Sequence, residues 1–164
     1  MDRSILNAFE QALGKQAVLT SAADCIAYGF DNSAYRQNPV MVLLPATIEH
    51  VQAAVNLARR FKLPLTARGR GTNTTGASVP LANGIVISFE RMNQIVRIAP
   101  DDRIAIVQPG VLNGDLQNAL AEFALFWPPD PTSAPYCSIG GNIACNAGGP
   151  RAVKYGATRD NVLA

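Results

Sequence analysis

Apolar residues recur along this chain at two different periods, and the changes of period mark its elements. Over Ser4–Leu13, Ile5, Leu6, Phe9 and Leu13 fall three or four apart, the spacing of one helix face. The stretch 14–38 shows no clear period, and Pro39 closes it. Val40-Met41-Val42-Leu43-Leu44 is a continuous apolar run between two prolines, which predicts a strand covered on both faces. Thr47 then supplies a helix N-cap, with Glu49 in the first turn. Val51, Ala54, Val55 and Ala58 form the apolar stripe, and Arg59, Arg60 and Lys62 stand at the C-terminal end, where cations are favoured. Leu65-Thr66-Ala67 reads as the next strand. Strand, helix and strand in so short a span predict a right-handed βαβ crossover.

The period then shortens. Gly84–Ser88, Ile95–Ile98 and Arg103–Val107 read as strands, the last two joined by a turn at Pro100-Asp101-Asp102. Leu112–Ala124 predicts a helix with Leu112, Leu116, Ala119, Leu120 and Phe123 on one side. From Trp127 onward Pro, Gly, Ser and Asn dominate, and neither repeats nor low-complexity linkers appear.

Composition narrows the class. Apolar residues are 48% and charged residues 16% of 164, the balance of a folded protein. A formal charge of +2 without a Lys/Arg run argues against nucleic acid or a membrane surface as partner. No apolar run approaches the roughly 18 residues of a membrane span, and Met1-Asp2-Arg3-Ser4 opens an amphipathic pattern, not a signal peptide. Cys25, Cys137 and Cys145 match neither CxxC nor zinc-site spacing. An odd count suits reduced thiols in a cytoplasm, each acting as a small buried apolar residue.

Two glycine-rich segments carry the candidate chemistry. The first is Arg68-Gly69-Arg70-Gly71-Thr72-Asn73-Thr74-Thr75-Gly76. Glycines let successive N–H groups converge on one concavity that suits phosphate oxygens; Arg68 and Arg70 offer charge, and the Thr and Asn side chains offer donors. It is not a P-loop, for it lacks Gly-Lys-Ser/Thr, nor a dinucleotide fingerprint, whose third glycine would fall on Thr74. By itself it is equally well a tight turn. The second segment contains Pro131-Thr132-Ser133, Ser138-Ile139-Gly140-Gly141-Asn142-Ile143-Ala144, Asn146-Ala147-Gly148-Gly149 and Tyr155-Gly156-Ala157-Thr158. A loop of such length within a compact domain usually serves a function, and Gly140-Gly141 lets a flat, phosphorylated ligand approach the backbone.

Pro45-Ala46-Thr47, the Arg-Gly-Arg-Gly-Thr loop, Val107-Gln108-Pro109-Gly110-Val111 and the second-segment motifs occur in this order in FAD-linked oxidases of the vanillyl-alcohol oxidase type. The chain resembles that family from Pro39 onward, and within it the glycolate oxidase FAD subunit and D-lactate dehydrogenase group. The resemblance implies an α+β, PCMH-type FAD-binding domain of two α+β subdomains, the first with a βαβ unit and the second incomplete, with FAD between them. Residues 1–38 are then a helix and lead-in, and 39–164 the front part of the FAD-binding domain, with the later strands and the cap domain truncated. It implies that Arg68, Gly69, Arg70, Gly71, Thr72, Asn73, Thr74 and Gly76 hold the pyrophosphate through backbone amides. Pro131, Thr132, Ser133, Ser138, Gly140, Gly141, Asn142, Ala144, Asn146, Gly148 and Gly149 would line the rest of the cofactor. Tyr155, Gly156 and Thr158 would approach its adenine side or the pyrophosphate.

One departure matters: members with covalent flavin carry histidine where this chain has Thr72, so FAD is expected to be noncovalent. The implied activity is oxidation of a 2-hydroxy acid such as glycolate or D-lactate, which needs a base, most often His. The one histidine, His50, reads as an ordinary helix residue, so no catalytic residue is assigned and the segment alone is expected to be inactive. Two other readings stand: a noncatalytic FAD-binding subunit that needs a partner chain, and a phosphate-binding domain without flavin. Self-association is also left open.

Overall fold

The structure, a computed structural model, describes residues 2–163. It divides into two compact units, Met1–Arg91 and Met92–Ala164.

The first unit is a four-stranded sheet with helices packed on it. Helix α1 (Arg3–Leu13) starts where the Asp2 carboxylate accepts from Ser4 N–H at 2.9 Å and ends at Gly14, which adopts φ 88°. A 3-10 turn (Lys15–Ala17), strand β1 (Val18–Leu19) and the short helix α2 (Ala22–Ile26) fill part of the stretch that showed no period. Next come β2 (Met41–Leu43), α3 (Ile48–Arg60), β3 (Leu65–Arg68) and β4 (Ile85–Ser88). Thr47 caps α3 by accepting from His50 N–H at 3.3 Å, as its position predicts.

The strand order is β1-β2-β4-β3, with β1 antiparallel to β2 and the other pairs parallel. The predicted β2–α3–β3 unit is therefore present with one strand between its ends. Sequence explains the insertion. Ile85-Val86-Ile87 is buried along its length and takes a central place with ladders on both edges, whereas the half-polar β3 takes the edge. Met41, Val42, Leu43, Ile85 and Val86 have no exposed surface, as unbroken apolar runs in a parallel sheet require. Phe9, Leu13, Ala54 and Ala58 close over them, and the Phe9 and Phe61 rings meet at 6.5 Å. Val55, expected on the buried stripe, is exposed, and Leu57 packs on the core instead.

The second unit pairs a hairpin with short helices. Strands β5 (Ile95–Ala99) and β6 (Ile104–Val107) are antiparallel, and Arg103 takes φ 55° at their turn. Helix α4 (Asn113–Ala121) is shorter than the apolar spacing predicts, because Ala124 adopts φ 54° and Leu125 N–H returns to Leu120 O. Phe123 is left exposed, while Val111, Leu116, Leu120 and Ile139 form the core. Two helices that the sequence pattern did not predict follow, α5 (Ile139–Ala144) and α6 (Ala152–Tyr155), then a 3-10 turn (Thr158–Asn161). Cys25 and Cys137 are buried as expected, but Cys145 is exposed. No described helix is long and apolar enough to cross a membrane.

The sheet core sets the stability of the first unit. Leu43→Ala removes side-chain volume where no neighbour is free to collapse, and should lower unfolding free energy by about 2–5 kcal/mol, read as a lower urea midpoint.

Candidate functional site

Strands β2, β3 and β4 run the same way, so their carboxyl ends share one edge, with Leu43 opposite Ile87 and Arg68 opposite Ser88. In open sheets of this kind ligands bind outside the carboxyl ends. The first glycine segment leaves β3 at that edge. Gly71 and Gly76 adopt φ 66° and 78°, which turns the chain back sharply. Among the described residues, the N–H groups of Arg70, Gly71, Thr72, Asn73 and Thr74 have no protein acceptor. Consecutive unpaired donors in a turning backbone are the elements of an anion-binding nest.

Residues 27–35, which gave no sequence signal, hold this loop. The Arg68 side chain does not reach outward: it is buried, donating to Phe30 O at 2.6 Å and Ala27 O at 3.3 Å and lying over the Tyr28 ring. A Cβ on Gly71 would run into that guanidinium. The Arg68 side chain is thus a bolt beneath the loop, and the exposed Arg70 is the loop's free charge. Asn32 donates through N–H to Asn73 O at 3.0 Å and through Nδ2 to Thr72 O at 3.3 Å. Asp31, almost wholly buried, accepts from Ser33 N–H at 2.8 Å and from Ser78 Oγ at 3.4 Å. Burial raises its pKa, but the bonds from Ser33 and Ser78 outweigh burial and hold it below the ordinary value of 3.8. Nearby, Tyr28 OH donates to Glu90 at 3.1 Å; burial first and the Glu90 charge second push its pKa up to about 12.

In the second unit, Ser138 caps α5 by accepting from Gly141 N–H at 3.2 Å. The segment expected to be loop is therefore a helix through Gly140-Gly141, stabilised by a cap and by contact with Pro109. A Cβ on Gly140 would lie 2.8 Å from Pro109 Cβ. Gly141 differs in degree: its Cβ would meet only Ser138 Oγ, at a tight 3.2 Å, whereas that of Gly148 would meet only Ala152 Cβ at an ordinary 3.5 Å. Pro131, Thr132 and Ser133 begin a set of turns, with Ala134 N–H bonded to Pro131 O and Cys137 N–H to Ser133 O. Thr158 is fully buried, its hydroxyl donating to Ala147 O at 2.6 Å, and so fixes the strand of chain through Asn146 and Ala147. Gly149 and Gly156, at φ 153° and 80°, pack on Asp130 and Asp160. Tyr155 stands partly exposed, edge-on to Phe126 at 5.2 Å. Three buried polar atoms in this unit, Asn113 Oδ1, Trp127 Nε1 and Asn142 Nδ2, lack a protein partner among the described residues.

A family model described as an FAD binding domain matches residues 39–164. The chain belongs to the FAD-binding domain family. Glycolate oxidase subunit GlcD of Escherichia coli K12 is 40% identical over 161 residues, covering 98% of this chain and 32% of that protein. D-lactate dehydrogenase of Anaerostipes hadrus is 38% identical over 129 residues, covering 79% and 27%. The chain thus spans a third or less of the length of these relatives. Among solved structures, alkyldihydroxyacetonephosphate synthase shares the fold with a TM-score of 0.89 at 22% identity, over 98% of this chain and 32% of that one. The fold is the α+β, PCMH-type FAD-binding fold that the resemblance implied.

The residues present fit FAD. The run of unpaired N–H groups beside Arg70 suits a doubly charged pyrophosphate. Gly148 keeps side-chain volume off the backbone without a packing reason, and Gly141 is crowded by one side-chain oxygen alone; both suit a flat ring or a phosphate at close approach. What sequence reading missed is the support: Ala27, Phe30, Asp31 and Asn32, which precede the matched domain, and Ser78 within it carry no periodic signal. Asp31-Asn32-Ser33 is Asx-turn chemistry, and was the one available clue.

The depressed Asp31 pKa fixes a sign. Its stabilising contribution is present above the unfolded value of 3.8 and is lost as pH falls through the lower folded value. Asp31→Asn should therefore flatten the acid limb of a stability-versus-pH curve below about pH 4, measured by denaturant titration at a series of pH values.

Proposed function

We propose that this chain forms the cofactor-holding part of an FAD-dependent oxidoreductase that oxidises a 2-hydroxy acid such as glycolate or D-lactate. The observation that carries the cofactor half is the row of unpaired N–H groups from Arg70 to Thr74 at the carboxyl edge of a parallel sheet. In this reading Gly69, Arg70, Gly71, Thr72, Asn73 and Thr74 bind pyrophosphate oxygens, with Arg68 and Gly76 shaping their turn. Thr132, Ser133, Gly140, Gly141, Asn142, Ala144, Asn146, Gly148 and Tyr155 face other parts of the cofactor, and Pro131, Ser138, Gly149, Gly156 and Thr158 fix their backbone.

Kinship supports the substrate class, since the relatives are named for glycolate and D-lactate. When bound, FAD supplies the two-electron acceptor that oxidation of a hydroxyl to a carbonyl requires. The chain's own part is to bind and orient the cofactor. His50 is not offered as a base: its Nδ1 accepts from Ala46 N–H at 3.4 Å, at the start of α3. Thr72 has no imidazole with which to attack a flavin methyl, so attachment is noncovalent. A second reading follows from the GlcD relative being named a subunit: an FAD-binding subunit that turns over only with a partner chain.

The full-length protein should purify yellow and release FAD into the supernatant on denaturation. A colourless supernatant above a colourless pellet refutes the cofactor reading, and a yellow pellet refutes noncovalent attachment. Anaerobic D-lactate or glycolate should bleach the bound flavin; bleaching that requires an added partner chain selects the subunit reading.

Gly141→Ala provides the sharper test. Helix propensity favours alanine by up to about 1 kcal/mol and the 3.2 Å approach to Ser138 Oγ opposes it, so stability should change by under about 1 kcal/mol, yet FAD binding should weaken at least about tenfold. Unchanged affinity, measured by flavin fluorescence, removes α5 from the site.

A further inference from the structure

Beneath the glycine loop lies a hydrogen-bond chain whose direction is fixed from one end. An ionised carboxylate accepts and cannot donate. Ser78 Oγ therefore gives its proton to Asp31 Oδ2 at 3.4 Å and is left with lone pairs. Asn73 must in turn present its Nδ2, which donates to Ser78 Oγ at 2.7 Å. That choice turns Asn73 Oδ1 toward the loop, where it accepts from Thr75 N–H at 3.2 Å and Thr75 Oγ1 at 3.0 Å. Asp31 Oδ1 meanwhile shapes the turn that aims Asn32 at the carbonyls of Thr72 and Asn73. In a planar trans peptide, C=O and the following N–H point opposite ways. Holding the Thr72 and Asn73 carbonyls on the Asn32 side directs the N–H groups of Asn73 and Thr74 away from it.

We infer that Asp31, acting through Ser78 and Asn73, is a positioning residue that orients the FAD loop. The inference rests on the cofactor reading above, but turns on Asp31 and Ser78, which lie outside the motifs that carry the resemblance. Asp31 and Ser78 are both buried and touch no ligand in this scheme. Their role is to make one amide orientation of Asn73 the favoured one, so that the loop meets the cofactor already ordered. A preorganised loop binds more tightly because less conformational freedom is lost on binding.

The test is a double-mutant cycle on the apo form of the full-length protein, with FAD affinity read by flavin fluorescence and the apo thermal midpoint read alongside. Ser78→Ala breaks the chain yet leaves the Asp31–Ser33 turn intact; Asp31→Asn is isosteric but able to donate. Each should weaken FAD binding about tenfold, the worth of one well-placed bond. The double variant should be no weaker than either single, because both cut one chain. Ser78→Thr keeps the hydroxyl and should retain affinity. Wild-type affinity in both single variants, or losses that multiply in the double, overturns the inference. Losses that track the apo thermal midpoint also overturn it, for that is general destabilisation. Should Ser78→Ala fail to fold, Asp31→Asn against Ser78→Thr carries the same decision. A wild-type protein that takes up no FAD refutes the cofactor reading itself, a result distinct from any of these.

Discussion

Burial of the Arg68 guanidinium is the constraint on which the carboxyl edge of the first unit depends. A cation taken out of water is costly unless its donors are satisfied. Here the acceptors are two backbone carbonyls, at Ala27 and Phe30. Burial is the largest influence on this group and works against its charge, while Asp31, Tyr28 and Glu90 favour it. The chain at 27–31 therefore cannot move from β3 without stranding a charge. That fixes Asp31 and Asn32 beside the loop that leaves β3, and it explains why Gly71 must lack a Cβ, since the guanidinium occupies that space.

The glycines of this domain serve two different needs. Gly71, Gly76, Gly149 and Gly156 adopt positive φ and pack tightly on Arg68, Tyr35, Asp130 and Asp160; the fold requires them whatever is bound. Gly140 is required by Pro109 alone. Gly148 meets neither demand, and Gly141, without positive φ, is crowded only by Ser138 Oγ at 3.2 Å. A helix disfavours glycine by up to about 1 kcal/mol relative to alanine; at Gly141 the Ser138 cap accounts for part of that choice, and the proposed cofactor approach would account for the rest. The motif as a string does not separate these roles; the surroundings of each Cα do.

Much of the fold was legible because burial writes periods into sequence. The run at Val40–Leu44 announced a strand covered on both faces, Gly84–Ser88 announced a strand, and Thr47 announced the start of α3. The strand order was not legible, since which apolar run takes the centre depends on competition for two ladders, not on local pattern. Helix α5 was hidden because Gly140-Gly141 has low intrinsic propensity, and a serine cap with a proline contact outweighs it. The end of α4 was hidden in Ala124, a residue with no turn signature that nonetheless takes φ 54°. At the candidate site, the glycine loop was visible as a string, but the outward role expected for the Arg68 side chain was not what packing allows.

This division also explains why the cofactor is easier to read than the substrate. On the proposed reading pyrophosphate recognition is done by backbone, and backbone geometry is enforced by glycines, caps and Asx turns that leave residue-level marks. Substrate recognition by a 2-hydroxy acid enzyme needs a cation for the carboxylate and a base for the hydroxyl proton, each a single side chain with no pattern around it. In the described residues the titratable groups near the loop already have structural partners: Asp31 with Ser33 and Ser78, Arg68 with two carbonyls, Glu90 with Tyr28 and Ser88. Among the charged groups Arg70 is the exception, exposed on a loop of unpaired amides, and a cation so placed complements a phosphate more directly than a small acid. The chemistry written in this chain is that of holding FAD, and the hydroxy acid enters through kinship.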